Sequence, residues 1–81
     1  MTSPLHRAEQ VLTHDIYDPA SIAHAIEDYR PHLSVGVLKE DATDTVISFT
    51  APNGEEAPAQ VIREFLNYAL DLSVRAILGV A

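Results

Sequence analysis

Residues 32–52, HLSVGVLKEDATDTVISFTAP, decide how this chain folds. In HLSVGVLKE (32–40), Leu33, Val35 and Val37 fall on one side of an extended chain, and Ser34, Gly36 and Leu38 on the other. In DTVISFTAP (44–52), Ile47 and Phe49 oppose Val46, Ser48 and Thr50. A period of two marks strands whose two faces meet different surroundings. The polar EDATD between them (40–44) has hairpin length, so the two strands are predicted to pair antiparallel.

Upstream, YDPASIAHAIEDYRP (17–31) is punctuated as a helix. The Asp18 carboxylate can accept from the orphan amides of a first turn, and Pro19 suits the first helical position, where no amide hydrogen is needed. Ile22, Ala25, Ile26 and Tyr29 follow at i, i+3, i+4 and i+7, which makes one apolar stripe, while Glu27 and Asp28 face water. Pro31 disfavours helical geometry at Arg30 and ends the element. Before this helix, EQVLTHDIY (9–17) alternates, with Leu12, His14 and Ile16 on one side, and is predicted as a strand. Residues 1–8 carry Pro4 and no period, and are expected to fray ahead of a single domain over 9–81.

Downstream, PNGEEAP (52–58) is a loop in which Asn53-Gly54 supports positive backbone angles and Pro58 can sit in the first turn of a last helix. The element order is therefore βαββα. The fold class is α+β: a three-stranded, largely antiparallel sheet with both helices on one face and a long helix at the C-terminal end.

That last helix has an apolar surplus. At about 100° per residue, Val61, Ile62, Phe65, Leu66, Tyr68, Ala69, Leu70, Leu72, Ala76 and Ile77 span an arc of roughly 200°, whereas a helix resting on a sheet needs a stripe only somewhat over 100° wide. Arg63, Glu64, Asn67, Asp71 and Arg75 form the polar side, with Asp71 and Arg75 spaced to pair at i, i+4. From Pro58 to Gly79 the helix would run about 33 Å, longer than strands of five or six residues, which reach about 17–20 Å. Its C-terminal half is expected to meet another polypeptide.

Composition narrows the function. Eighty-one residues make one domain, near the size below which chains often rely on disulfides, a metal or a partner. There is no cysteine, which removes thiolate nucleophiles, zinc knuckles and cysteine-held clusters. Twelve carboxylates against five Lys and Arg give a net charge of −7, a field that repels nucleic acid. MTSPLHRAEQ (1–10) does not resemble a signal peptide and no apolar run has membrane-spanning length, so the protein is expected to be soluble and cytoplasmic.

Little in the chain points to catalysis. His6, His14, His24 and His32 include no i, i+4 pair and are read as solvated side chains. No G-x-S-x-G elbow and no Gly-rich loop occurs, because Gly36, Gly54 and Gly79 are isolated. Carboxylate pairs such as Glu55-Glu56 and Asp41/Asp44 lie in loops, where solvation keeps them ordinary. The chain is expected to be no enzyme and to hold no cofactor.

Three stretches, IYDPASIAHAIEDY (16–29), LSVGV (33–37) and EFLNYALDLSVR (64–75), together with the element order, resemble the small HxsD-like proteins; Leu66-Asn67 and Arg75 are the sharpest points. The likeness extends over residues 9–79. Members of that family are encoded beside radical-SAM enzymes in His-Xaa-Ser peptide-maturation systems. The resemblance implies a non-catalytic accessory role, binding a precursor peptide, a maturase or both.

The interaction surface expected from these readings comprises Leu66, Leu70, Val74 and Leu78, with Asn67 and Arg75 as a polar rim. Its occupant would be a second copy or another protein, in a homodimer or heteromer; a sheet edge could take an extended peptide. The alternative is a small homo-oligomeric ligand- or metal-binding protein with its site between subunits.

Overall fold

The computed structural model describes residues 8–79. In chain order the elements are β1 (Ala8–Thr13), α1 (Pro19–Asp28), β2 (Ser34–Glu40), β3 (Asp44–Thr50) and α2 (Ala59–Leu78). The strand order is β1-β3-β2, and β3 is antiparallel to both neighbours. β1 and β2 are therefore parallel to each other, and α1 carries the chain across β3 between them, the arrangement of a split βαβ unit. The fold is the α+β one expected, with the long helix last.

Core residues come from one face of the sheet and from both helices. Leu12, Thr45, Ile47 and Phe49 of the sheet are buried with Ile22 and Ala25 of α1 and Phe65 and Ala69 of α2. Phe65 is the hub. Its ring meets Phe49 edge-on at 5.5 Å and Tyr29 edge-on at 5.6 Å, geometries that match the positive edge of one ring to the negative face of another. One sheet and two helices are thereby joined through one side chain.

The helices themselves meet along small residues. Ser21 and Ala25 on α1, and Ala69 and Ser73 on α2, are all buried, and short side chains let two backbones approach closely. Ser73 is fully buried and fully bonded: its Oγ donates to the Ala69 carbonyl at 2.7 Å and accepts from the Asp18 amide at 2.9 Å. Asp18 caps α1 as expected, accepting from the Ser21 amide and the Ser21 hydroxyl, both at 3.0 Å.

Several boundaries differ from the sequence reading. β1 stops at Thr13 rather than Tyr17, because the amides of Ile16 and Tyr17 fold back onto the Thr13 carbonyl, at 3.1 and 2.8 Å. It begins at Ala8, a residue expected to fray; residues 1–7 of that segment, and His6 within it, lie outside the described residues. α1 ends at Asp28, with Tyr29 as its cap, two residues ahead of the stop attributed to Pro31. Pro58 caps α2 instead of lying in its first turn, and its carbonyl accepts from Val61 and Ile62. At the other end Gly79 adopts the left-handed conformation (φ 71°) that closes a helix with little steric penalty.

β2 also departs from clean alternation. Its register with β3 shifts between Val37 and Lys39, so Leu38 is an extra, bulged residue, and Val37 and Leu38 are both exposed. The hairpin turn is held by Asp41, whose Oδ1 accepts from the Thr43 amide (2.9 Å), the Thr43 hydroxyl (3.0 Å) and the Asp44 amide (2.9 Å). These bonds favour the charged carboxylate and hold its pKa at about 2, below the ordinary 3.8.

Two tests follow from these contacts. Ser73→Ala leaves the Asp18 amide without its buried acceptor, and chemical denaturation should register a loss of about 1–3 kcal/mol with the fold retained. For Asp41 the folded-state pKa is depressed, so its stabilisation is complete above the unfolded value of 3.8 and disappears as pH falls through about 2. Denaturation midpoints of Asp41→Asn should therefore fall less steeply than those of the parent between about pH 5 and pH 2.

Candidate interaction surface

Around α2, burial follows the 3.6-residue period. Phe65, Ala69 and Ser73, at i, i+4 and i+8, face inward and are buried. Val61, Ile62, Leu66, Tyr68 and Leu72 flank them, half-buried against the core. The first half of the arc expected to be in surplus is therefore largely occupied by the chain's own core. Beyond it the cover ends: Leu70 is half-buried, Val74 is 45% exposed, Ile77 64% and Leu78 70%.

The surface anticipated from sequence is thus divided. Leu66 belongs to the margin of the core, whereas Leu70, Val74 and Leu78 lie in the open stretch, where Ile77 joins them. Asn67 and Arg75 are exposed beside it. Arg75 pairs with Asp71 at 3.2 Å, the expected i, i+4 contact, and with both side chains in water it contributes a few tenths of a kcal/mol at about the level of a surface helix pair.

Among the described residues, clefts lie between the helices, and two of them bring polar groups together. One, of about 370 Å³, sits beside the start of α1 and brings His24 and Arg75 near Asp18 and Leu72. Each of these two side chains already has a carboxylate beside it: Arg75 has Asp71, and His24 Nε2 lies 3.0 Å from Asp28. The other cleft, of about 430 Å³, is lined by Asp28, Tyr29, His32, Val61 and Glu64. At its border the Tyr68 hydroxyl donates to Asp28, and that bond to a carboxylate raises the tyrosine pKa above its ordinary 10.0. Among the described residues no group of three His, Asp or Glu side chains is gathered closely enough to hold a metal ion.

His14 is the functional-looking residue that the sequence misplaced. It is half-buried rather than solvated, with Nε2 2.7 Å from Thr45 Oγ1 and Nδ1 3.3 Å from the Ala42 carbonyl. A carbonyl can only accept, so Nδ1 donates, and in the neutral ring Nε2 accepts from the Thr45 hydroxyl. His14 thereby fastens the end of β1 to the β2–β3 hairpin. Only its spacing from a hairpin distant in sequence sets this role, and spacing of that kind leaves no local signature.

No described helix is long and apolar enough to cross a membrane. No family model, no curated protein and no solved structure matches this chain.

The Tyr68–Asp28 contact is open to optical titration. In the parent one of the three tyrosines should ionise above the ordinary value, and Asp28→Asn should move that step to lower pH, because the charged acceptor is lost.

Proposed function

We propose that this chain is a non-catalytic protein-interaction module that works in an assembly, with the outer flank of α2 at the interface. The observation that carries the reading is the run of exposed Val74, Ile77 and Leu78 beside half-buried Leu70. Large apolar side chains scattered singly on a surface are ordinary, but here four are consecutive along one helix flank, and contiguous apolar surface marks sites that another molecule covers. Asn67 and Arg75 supply a polar rim of the kind that surrounds such patches.

The likeness of residues 16–29, 33–37 and 64–75 to HxsD-like proteins supports a narrower version: an accessory protein for a peptide-modifying radical-SAM enzyme or its precursor peptide. The absence of cysteine agrees with a division of labour in which any iron–sulfur cluster belongs to the enzyme.

Leu70→Asp and Val74→Asp place a carboxylate in the flank without entering the core that Phe65, Ala69 and Ser73 form. Sedimentation should show both variants shifted toward monomer while circular dichroism keeps the parent's helix and strand content. Collapse of that content would instead assign the two positions to the monomer's own core. Stoichiometric metal in protein purified without a histidine tag would turn the assignment toward an oligomeric metal-binding protein.

A further inference from the structure

Asparagine occurs at two positions in this chain, Asn53 and Asn67. The side-chain amide of an asparagine is an acyl group close to the main-chain nitrogen of the next residue. If that nitrogen gives up its proton and attacks Cγ, a succinimide ring closes. Bulk beside the attacking nitrogen hinders the step, and so does any structure that stops the peptide group from turning toward the side chain. The two asparagines differ on both counts.

Asn67 lies inside α2 and is followed by Tyr68, whose half-buried ring packs at 5.5 Å from Tyr29. Turning the Tyr68 nitrogen toward Asn67 Cγ would break the helix in its middle. Asn53 sits in the loop between β3 and α2, where residues 52–56 are all exposed. Gly54 follows it, so no side chain stands beside the attacking nitrogen, and a Cβ built there would meet nothing within 4 Å. The Glu55 amide donates to Asn53 Oδ1 at 3.0 Å, an Asx turn. That donor draws electrons from Cγ and favours the negative charge that arrives on Oδ1 when Cγ is attacked. One bond opposes the attack: the Gly54 N–H is donated to the Ala51 carbonyl at 2.8 Å, across a turn with Pro52 in its second position.

We propose that Asn53 is a site of self-modification, at which the Gly54 nitrogen displaces ammonia from the asparagine side chain and water opens the ring to aspartate or isoaspartate. Solvent base takes the Gly54 proton, the bond from that nitrogen to Cγ forms, and the side-chain nitrogen leaves Cγ with a proton from solvent. Water then adds to the ring. Breaking the new bond to Cγ yields aspartate, and breaking the original peptide bond at the main-chain carbonyl carbon yields isoaspartate. The only co-reactants are base and water, and nothing is oxidised or reduced.

The turn acts as the latch on this step. The bond from Gly54 to Ala51 must open before the nitrogen is free, and a single exposed turn bond opens locally without unfolding the domain. Either product adds a negative charge to the surface. Isoaspartate also adds a carbon to the main chain inside a loop that the Ala51 amide closes onto the Glu55 carbonyl at 2.8 Å, shortly before Pro58 caps α2. Chemical ageing therefore enters at the approach to α2 and spares the core.

The test is incubation of the full chain at mildly alkaline pH, folded and in guanidinium chloride, followed by digestion. Peptide mass spectrometry reads the exchange of NH2 for OH at each asparagine, and chromatography separates isoaspartate from aspartate. In the folded chain Asn53 should convert, with isoaspartate among the products, over a period in which Asn67 does not. In denaturant, conversion at Asn53 should be faster by about two- to tenfold, the factor that one turn hydrogen bond can hold back. Gly54→Ala should slow conversion at Asn53 in both states, so its effect is read even where a side chain strained at a φ of 71–89° loosens the loop. A folded chain that keeps Asn53 intact while the denatured chain converts would overturn the proposal. Equal conversion at Asn67 in the folded chain, or aspartate without isoaspartate, would do the same. A folded rate at or above the denatured one would remove the turn bond as the latch.

Discussion

Close contact between α1 and α2 is the constraint on which the rest of the molecule depends. Ser21 and Ala25 meet a helix whose inward residues there are Ala69 and Ser73, all short and all buried. Only at that separation can the Ser73 hydroxyl reach the Asp18 amide at the start of α1, a bond between residues 55 apart in sequence. A hydroxyl buried without partners would cost about 1–3 kcal/mol. Here it is satisfied on both sides, by the Ala69 carbonyl and the Asp18 amide, so it adds specificity without an unpaired polar atom.

From that contact the position of α2 follows, and with it the division of its apolar surface. Phe65 is driven between Phe49 and Tyr29, so the N-terminal half of α2 lies over the core. Twenty residues of helix then outrun what lies beneath them, at about 30 Å against strands of six and seven residues. Val74, Ile77 and Leu78 are left in solvent as a consequence of length, not of an exceptional sequence in that turn. A sheet with β3 between two outer strands likewise has two edges, and β2 carries the bulge and charges that guard one of them. The exposed flank at the end of α2 is what the interaction reading rests on.

Charge acts as a filter on what can occupy these surfaces. A net charge of −7 disfavours phosphate-bearing partners and weakens any self-association at low ionic strength. The carboxylates nearest the two helices are largely used within the chain: Asp18 caps α1, Asp28 takes the Tyr68 hydroxyl and faces His24, and Asp71 holds Arg75.

What the sequence determined by itself was everything governed by neighbours within about one turn or one strand. The βαββα order, the Asp18 cap, the antiparallel hairpin, the Gly79 stop and the Asp71–Arg75 pair are local events, fixed by periodicity, capping and i, i+4 spacing. The apolar surplus of α2 pointed to a surface of Leu66, Leu70, Val74 and Leu78 but could not tell that Leu66 would be drawn to the core margin while Ile77 stayed open. Tertiary structure alone decided that division, along with the burial of Ser73, the half-buried place of His14 against Thr45, the bulge at Leu38 and the end of β1 at Thr13. Each depends on a partner distant in sequence or on where a neighbouring element happens to end, and a pattern read along one chain has no means of measuring distance across the fold.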